Sequence, residues 1–329
     1  MIVITGAAGF LGSSMVRHLN GAGREDLVLV DDFPVMPVET CHGASLQENT
    51  AYIQGVKYTE KIPRDFFFDW LELNSSKVDF IIHLGSEIDT LPEDTSCFQE
   101  YILEFSQRLW SFTSMNRIPL LYAASSVDNS WEILACLHEN ESGIERRRLC
   151  EKYKQTFDLW IQKQRVIPPL WAGFSMAEVY GPNEYNRDSD ASSVLKILRQ
   201  IHQHGKVVVP CFSITETTVE EIFTDRIFEK DVVTVITWFM NHLPASGLYQ
   251  LATAYPRPLS AVAKTVFSVL RKEEKIDFAP IEFKNIIPND GKLDLPLNSL
   301  KRVGYKKNFT PLEKGIRVFV LDYLKKYQF

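Results

Sequence analysis

Three glycines near the start of the chain carry the clearest chemical signature in the sequence. Gly6, Gly9 and Gly12 follow a short β-branched run and open a helical pattern, in the spacing G-x-x-G-x-x-G. In a dinucleotide turn the first glycine permits a tight bend, the second lets backbone approach a pyrophosphate, and the third lets helix and strand pack closely. The N–H groups and partial positive charge at a helix start attract phosphates. The spacing therefore predicts a cofactor-binding turn that includes Phe10 and Leu11.

Two carboxylates are predicted at the end of the second strand. Asp31 and Asp32 follow an apolar run about twenty residues beyond the turn, where an acid accepts hydrogen bonds from the ribose hydroxyls of the cofactor. A carboxylate there repels the 2′-phosphate of NADP, so we expect NAD rather than NADP. Leu84 and Gly85, after a later strand, are predicted to contact the same cofactor. The alternatives are that the aspartates form a solvated turn, and that the fold is kept while cofactor binding is lost.

A second set of reactive side chains lies at a later strand end and on the helix after it. Ser125 follows a predicted strand, whereas Cys150 and Lys154 are four residues apart in a helical pattern and so share one face. A lysine beside a cysteine favours the thiolate form. The alternatives are a strand-end serine bonded to backbone and a buried helix cysteine without a chemical role.

The elements that must position these residues alternate between strand and helix patterns. Short β-rich runs separated by helical periodicity indicate a parallel sheet covered on both faces, with ligands at the carboxyl ends of its strands. The predicted class is α/β, a doubly wound parallel sheet (Rossmann) with a smaller C-terminal α/β substrate domain. The predicted strands are residues 2–4, 27–30, 78–82, 119–123 and 170–174, and the predicted helices are one ending near residue 19 and those over residues 98–113, 144–163, 192–204, 259–270 and 312–327.

The chain is long enough for about two domains. It has 329 residues, and no linker rich in glycine or serine divides it, so we expect the domains to pack tightly. We place the NAD-binding domain at residues 1–172, with part of 212–240 added to it. The substrate domain is predicted to occupy most of residues 173–329.

Composition and charge exclude several classes of protein. Hydrophobic residues make up 45 % and charged residues 24 %, as in folded globular proteins, and the formal net charge is −6. An acidic chain without a basic run is a poor binder of nucleic acid, and no apolar run approaches the roughly 20 residues of a membrane span. The five cysteines form no metal-binding pattern, so we predict no metal site. With no signal-peptide pattern at the start, we expect a cytoplasmic protein.

These residues and their order resemble the extended short-chain dehydrogenase/reductase superfamily of NAD-dependent epimerases and dehydratases. The similarity covers nearly the whole chain, and among members of the superfamily the sequence looks most like the ADP-glycero-manno-heptose 6-epimerases. It is carried by residues 5–12, 83–86, 121–126, 178–182, 225–232, 304–305 and 309–315. The resemblance implies a NAD cofactor, with Lys154 as a candidate for holding the ribose next to the nicotinamide, and a nucleotide-sugar pocket built by the segments after Tyr180. It aligns Glu178 and Arg187 with substrate contacts. Arg226 is a third candidate, near a family arginine but displaced from it.

The match fails at residues that would perform catalysis. The family uses a serine or threonine together with Tyr-x-x-x-Lys on one helix, and the tyrosine acts as the base. Ser125 and Lys154 align with the serine and the lysine, but Cys150 stands at the tyrosine, and none of the twelve tyrosines has a lysine four residues later. Ile102 stands at a family asparagine and Thr224 at a family arginine. The resemblance therefore implies the fold more strongly than the activity.

Two functions are consistent with this pattern. The first is a NAD-binding epimerase/dehydratase-like protein with impaired or absent catalysis, which serves as a structural or assembly subunit. The alternative is an active NAD-dependent nucleotide-sugar epimerase or dehydratase with a non-standard base. We favour the first, because several polar contacts are replaced together. The apolar residues of the predicted helix 98–113 further predict a homo-oligomer or a subunit of a larger assembly, with no nucleic-acid or membrane partner.

Overall fold

The strands of the central sheet are short runs of β-branched and aliphatic residues. The computed structural model describes residues 1–33, 51–86, 95–126, 141–185, 187, 191–213, 219–281, 296 and 298–326. Seven strands of the sheet lie in this part of the chain: β1 (Ile2–Thr5), β2 (Leu27–Asp31), β3 (Glu60–Pro63), β4 (Phe80–His83), β5 (Leu120–Ala123), β6 (Trp171–Met176) and β12 (Gly247–Leu251). Their order is β12-β6-β5-β4-β1-β2-β3, and all neighbours are parallel.

The register of the sheet brings the predicted site residues to one edge. Thr5, the last residue of β1, pairs with Val30 of β2 and with His83 of β4. The glycine turn follows Thr5, Asp31 follows Val30, and Leu84 follows His83. Because the carboxyl ends of parallel strands meet at the same edge, three segments that are far apart in sequence lie side by side there.

Helices cover both faces of this sheet. α1 (Phe10–Gly21) and α7 (Glu229–His242) pack in the same core as Ile2 and Ile4 of β1. α2 (Phe67–Asn74), α4 (Phe105–Met115) and α5 (Glu141–Ile161) pack on the opposite face with Val3. Side chains alternate between the two faces of a strand, so β1 is apolar at successive positions because both of its faces are buried.

The helix before β5 is irregular in its first part. α3 (Ser96–Phe98) continues through a π-helical segment (Gln99–Glu104) into α4. The predicted association was based on six apolar side chains, and four of them are buried inside this chain: Phe98, Ile102, Phe105 and Leu109. These four offer no surface to another chain, whereas Tyr101 and Phe112 are partly exposed. The association itself stays a prediction. The predicted association has to rest on other side chains of these helices.

The second half contributes three smaller sheets. β7 (Glu178–Tyr180) pairs with β11 (Arg226–Phe228), β10 (Phe223–Thr224) pairs with β13 (Arg257–Pro258), and β8 (Val207–Ser213) lies between β14 (Ile276–Ile281) and β9 (Val219–Glu221). α6 (Ser193–His204), α8 (Leu259–Leu270) and α10 (Leu312–Lys326) share a separate core. The short α9 (Ser299–Arg302) packs beside β12. Within the described residues, no helix is both long and apolar enough to cross a bilayer.

The α/β class, the parallel sheet and the smaller C-terminal α/β part are confirmed. The predicted elements lie within a few residues of the observed ones, and residue 327 of the last predicted helix is outside the described residues. Four elements of the sheet and of the helices that cover it were not predicted: β3, α2, α7 and β12. β3 begins with the charged pair Glu60 and Lys61, so it does not look like a buried strand. β12 and α7 follow residue 172 in sequence but join the first core, and the domain division stays a prediction.

Candidate functional site

The glycine turn packs backbone directly against backbone. Gly6 has a φ of +69°, and a Cβ on it would lie 2.5 Å from the backbone nitrogen of Gly85. A Cβ on Gly12 would lie 1.8 Å from the carbonyl oxygen of Gly6. Neither position can hold a side chain, because both near atoms belong to the backbone. The structure therefore brings the turn and the end of β4 together as the sequence predicted.

The start of α1 has backbone amides without a capping side chain. Gly9 occupies the N-cap position and makes no side-chain hydrogen bond there. Phe10 and Leu11 form the first turn, with Phe10 buried and Leu11 packed on the core. The guanidinium of Arg187 lies 5.5 Å from the centre of the Phe10 ring, so this residue is near the turn. A helix start of this kind suits a pyrophosphate.

Asp31 and Asp32 are bonded into the structure rather than left in a solvated turn. Asp31 Oδ2 accepts a hydrogen bond from the backbone N–H of Ala8 at 2.7 Å, and Oδ1 accepts one from the N–H of Asp32 at 2.8 Å. Burial raises the pKa of Asp31 to about 6, against the opposing effect of these two amides. Asp32 accepts a hydrogen bond from the hydroxyl of Tyr101 at 2.6 Å.

Sequence reasoning missed a cation beside these carboxylates. Arg64 follows β3 and donates to the carbonyl oxygen of Gly85 at 2.9 Å and to that of Tyr101. Its guanidinium lies 3.4 Å from the centre of the Tyr101 ring and 3.9 Å from that of Phe105. The available signal was the position of Arg64 directly after a strand end. That signal was hidden because β3 itself was not predicted.

His83, at the end of β4, is a structural link rather than an acid or a base. Its Nδ1 lies 2.6 Å from the hydroxyl oxygen of Thr5, and its Nε2 lies 3.1 Å from that of Ser106. Burial lowers the pKa of His83 to about 3, and the positive charges of Arg64 and Lys154 act in the same direction. The ring is therefore neutral near pH 7, and it joins β1 and β4 to α4.

Ser125 is held by a carboxylate that the sequence did not single out. Its backbone N–H and its hydroxyl both donate to Asp158 Oδ2, at 2.8 and 2.7 Å. Tyr122 donates to the other oxygen of Asp158 at 2.9 Å. Burial raises the pKa of Asp158 to about 6. The strand-end serine is thus bonded to a side chain of α5, and its hydroxyl proton already has an acceptor.

Lys154 is paired with a neighbour on its own helix. Its Nζ lies 3.3 Å from Glu151 Oε1, and only 7 % of the lysine side chain is exposed. The other oxygen of Glu151 accepts a hydrogen bond from the backbone N–H of Ser126 at 2.7 Å. Glu151 therefore connects Lys154 to the end of β5. Its spacing of three residues from Lys154 was the signal that sequence reasoning overlooked.

Cys150 lies in a small apolar cluster between α5 and the irregular helix before α4. It is 4 % exposed and packs with Phe98 and Ile102, with Tyr101, Leu149 and Tyr153 at the border of the cluster. This is the environment of the buried helix cysteine that the sequence left as an alternative. Ile102, which stands at a family asparagine, supplies part of that apolar wall.

Glu178 and Arg226 bind each other. Arg226 Nε lies 2.8 Å from Glu178 Oε2, and the arginine side chain is 1 % exposed. Arg226 Nη1 donates to the carbonyl oxygens of Thr224 and Arg257, both at 3.1 Å. Arg226 Nη2 and Thr224 Oγ1 are buried and lack a hydrogen-bond partner among the described residues. The predicted substrate contacts thus form a buried ion pair between β7 and β11.

The start of α6 is occupied by carboxylates of the chain itself. Glu178 accepts from the N–H and the hydroxyl of Ser193, at 2.6 and 2.7 Å. Glu184 accepts from the N–H and the hydroxyl of Ser192, at 2.9 and 2.8 Å. A helix start attracts anions, and here two protein carboxylates already take that place. Burial raises the pKa of Glu184 to about 7.

The predicted residues therefore form two groups with different chemistry. The turn, Asp31, Gly85 and Lys154 lie along the carboxyl edge of the sheet, with uncapped amides, a ribose-type carboxylate and backbone too close for side chains. These residues fit a dinucleotide. In the second half, Glu178 and Arg226 satisfy each other's charge, while Arg187 contacts the first turn of α1.

Known proteins are similar to this chain over almost its whole length. The ADP-L-glycero-D-manno-heptose-6-epimerase of Fusobacterium nucleatum is 26 % identical, with 99 % of this chain and 98 % of that protein covered. The structure of the Helicobacter pylori ADP-L-glycero-D-manno-heptose-6-epimerase has a TM-score of 0.72 at 18 % identity, over 97 % of this chain and 94 % of the other. A UDP-N-acetylglucosamine 4-epimerase from Methanobrevibacter ruminantium has a TM-score of 0.71 at 16 % identity, over 99 % and 98 %. These two structures share the fold.

A family model also matches most of the chain. Residues 2–252 match the model described as the NAD dependent epimerase/dehydratase family. The matched range runs from β1 to β12, so it includes every strand of the seven-stranded sheet as well as the glycine turn, Asp31, Lys154 and Arg226. The expected NAD cofactor agrees with this match and with the fit of the residues at the carboxyl edge. The chain belongs to the NAD dependent epimerase/dehydratase family.

Proposed function

We propose that this chain is a NAD-binding, epimerase/dehydratase-like protein with impaired or absent nucleotide-sugar turnover that serves as a structural or assembly subunit. NAD, when bound, would supply a hydride acceptor and donor for a substrate carbon. The residues that would hold it are the turn glycines, Asp31 at the adenosine ribose, Leu84 and Gly85 through their backbone, and Lys154 at the nicotinamide ribose. The chain's own residues would have to supply the proton transfer.

The observation that carries this proposal is the burial of Cys150. A base must come within about 2.6–3.2 Å of the hydroxyl whose proton it takes. The Cys150 side chain is short and packed on Phe98 and Ile102, so a substrate hydroxyl reaches it only by displacing those side chains. The hydroxyl of Ser125 donates to Asp158, which leaves Ser125 to act as a hydrogen-bond acceptor. Neither residue is placed to take a proton from a sugar.

The charges in the second half support the same proposal. A nucleotide-sugar carries a diphosphate, and its binding needs cations or free amides that face it. The guanidinium of Arg226 is held by Glu178, and the start of α6 is held by Glu178 and Glu184. A diphosphate at this place would meet two carboxylates. We therefore expect weak binding of nucleotide-sugars even where NAD binds normally.

The experiment is single-turnover reduction of bound NAD by a panel of ADP-, GDP-, UDP- and dTDP-sugars. Calorimetry first measures NAD binding, and the absorbance of reduced nicotinamide then reports hydride transfer. Positioned acid–base groups contribute about 10²–10⁴-fold, so we expect transfer slower by at least that factor than in an active family member assayed alongside. Transfer at a comparable rate would contradict the proposal.

The assembly role has a separate test. α4 and α5 expose a few large apolar side chains, including Met115 at 72 % and Leu159 at 44 %. Analytical ultracentrifugation of the purified chain at micromolar concentration reports self-association, and pull-downs with the tagged chain report other partners. We expect a stable complex in one of the two. A clean monomer without a stable partner would contradict the role as a subunit.

One observation favours the second function, an active epimerase or dehydratase with a non-standard base. Glu151 is fixed between Lys154 and the end of β5, its side chain is 25 % exposed, and it reaches further from its helix than Cys150 does. This combination of fixed position and access suits a base. If the panel shows turnover, Glu151→Gln is expected to abolish it while Cys150→Ser retains it. Turnover that survives Glu151→Gln would exclude Glu151 as the base.

A further inference from the structure

Arg64 is a buried cation that has no carboxylate within ion-pair distance in the described part of the chain. Its relative exposure is 8 %, and each of its described hydrogen bonds goes to a backbone carbonyl oxygen. The desolvation of a guanidinium is costly unless charge nearby compensates it. A side chain of this kind therefore needs an explanation in the electrostatics of its surroundings.

The contacts of Arg64 fix it across the carboxyl edge of the sheet. It starts at the end of β3, donates to Gly85 after β4, and lies against the rings of Tyr101 and Phe105. It thus joins β3, β4 and the irregular helix before β5. This is the edge where Asp31 ends β2, and Pro63, the residue before Arg64, pairs with Asp31.

Two adjacent carboxylates face this cation. Asp31 is partly buried, and its pKa of about 6 results from burial and the charge of Asp32, opposed by the amides of Ala8 and Asp32 and by the charge of Arg64. Asp32 accepts a hydrogen bond from the hydroxyl of Tyr101, and the guanidinium of Arg64 lies over the ring of that same tyrosine. The groups that act on Asp31 therefore come from its own strand, from the glycine turn and from the end of β3.

We propose that Arg64 is a positioning residue of the cofactor site, the cation that keeps the carboxylate of Asp31 ionised so that Asp31 can accept hydrogen bonds from the ribose hydroxyls of NAD. The proposal rests on NAD binding at this edge. A protonated Asp31 has one oxygen fewer to accept with, so the affinity for the adenosine end depends on its ionisation. An opposite charge near a desolvated carboxyl group favours its ionised form.

The test compares pH profiles of binding in Arg64→Met and in the wild type. Calorimetry measures the dissociation constants of NAD, AMP and nicotinamide mononucleotide between about pH 5 and pH 8.5. In the wild type, NAD binding weakens as pH falls through about 6, because Asp31 takes a proton. The phosphate of AMP also titrates at about pH 6, so AMP affinities are compared only between variants at the same pH. In Arg64→Met this midpoint moves to higher pH, and each unit of movement weakens binding near neutral pH by up to about tenfold. Nicotinamide mononucleotide binding stays unchanged.

Three further variants separate electrostatics from structure. Lys61→Met removes the same charge from β3, where Lys61 lies over the Phe33 ring, and should leave the midpoint in place. Arg64→Lys keeps the positive charge, so the pH midpoint of its NAD binding should lie close to that of the wild type. Asp31→Asn should lack the pH step, with or without Arg64→Met. Thermal unfolding establishes that each variant is folded.

The outcomes distinguish this proposal from the one on which it rests. A folded Arg64→Met protein with weaker binding but an unmoved midpoint would overturn the role of Arg64 and leave NAD binding intact. Equal loss of AMP and nicotinamide mononucleotide affinity would also overturn it, because the effect would then not be confined to the adenosine end. A wild type that binds no NAD at any pH would overturn NAD binding, and the role of Arg64 with it.

Discussion

A tyrosine placed at Cys150 would meet side chains that are already packed. The cysteine contacts Phe98 and Ile102 in a cluster with almost no exposed surface. The much larger phenol ring has to push these residues apart, and overpacking of this kind costs about 1–3 kcal/mol. We therefore predict that Cys150→Tyr lowers the free energy of unfolding by that amount and does not restore hydride transfer.

Urea denaturation and the single-turnover assay measure the two parts of this prediction. Cys150→Val is the control, since it changes the volume little and stays apolar. A Cys150→Tyr protein with unchanged stability and measurable transfer would mean that the apolar cluster opens easily, and that the missing phenol alone limits catalysis.

Glu229 gives a prediction about pH. It is 2 % exposed, and Oε2 accepts a hydrogen bond from Ser14 at 2.5 Å. Burial raises its pKa to about 7, above the value of about 4.3 in an unfolded chain. The folded state therefore holds this proton more tightly, so the contribution of Glu229 to stability is present below about pH 4 and is lost as pH rises to about 7.

We predict that Glu229→Gln removes this dependence. The variant should gain stability relative to the wild type as pH rises from about 5 to about 8, because it never buries a negative charge. Urea denaturation at both pH values checks this, with Glu145→Gln on the exposed side of α5 as the control. A stability difference between Glu229→Gln and the wild type that is the same at both pH values would contradict the prediction.

At the scale of elements, the backbone of α1 packs directly on the backbone of the glycine turn. A Cβ on Gly12 would lie 1.8 Å from the backbone oxygen of Gly6, whereas a Cβ on Gly21, at the other end of the same helix, meets nothing within 4 Å. We predict that Gly12→Ala forces α1 away from β1, lowers the melting temperature and abolishes NAD binding. Gly21→Ala should keep NAD binding and raise stability by about 0.5–1 kcal/mol.

Calorimetry measures the NAD affinity of the two variants, and thermal unfolding measures their stability. They differ in position alone, because both add one methyl group to α1. Normal NAD affinity in Gly12→Ala would show that the turn tolerates a wider separation of helix and strand than its backbone contacts indicate.

The ion pair of Glu178 and Arg226 joins β7, β11 and the start of α6. Removal of one partner leaves a buried charge without its counterion, which costs about 3–5 kcal/mol. We predict a loss of that size for Glu178→Leu alone and a much smaller loss for Glu178→Leu combined with Arg226→Met. Asp277→Asn, which breaks the exposed pair with Lys206, should cost less than about 1 kcal/mol.

Urea denaturation of the wild type, Glu178→Leu, Arg226→Met and the double variant gives the coupling energy of the pair, and Asp277→Asn is measured alongside as the control. A double variant as unstable as Glu178→Leu would mean that packing around the pair, rather than its charge balance, determines the cost. Asp277→Asn shows whether removal of one charge by itself lowers the free energy of unfolding.

For the whole molecule, local patterns were predictable and distant contacts were not. The glycine turn, Asp31 and the spacing of Cys150 and Lys154 are each defined within a few residues, so the sequence placed them correctly on strands and helices. Arg64 contacts Gly85 and Tyr101, which are far from it in sequence. Nothing in the local sequence around Arg64 indicates these two hydrogen bonds, because they depend on the register of the sheet.

The second half was harder to predict for the same reason. β12 joins β6 through pairs such as Leu251 with Met176, and the five strands between them in sequence, β7 to β11, belong to other sheets. Glu178 and Arg226 were both selected as site residues, but their mutual ion pair depends on the parallel pairing of β7 with β11. The sequence identified residues with chemical capacity, and the fold determined which of them act on each other.

The Glu178–Arg226 pair also limits the routes by which this sequence can change. A substitution at either position alone passes through a protein with an unbalanced buried charge, and selection removes variants that unfold. A change at one of the two positions is therefore tolerated only with a compensating change at the other, so the two positions are expected to vary together rather than one at a time.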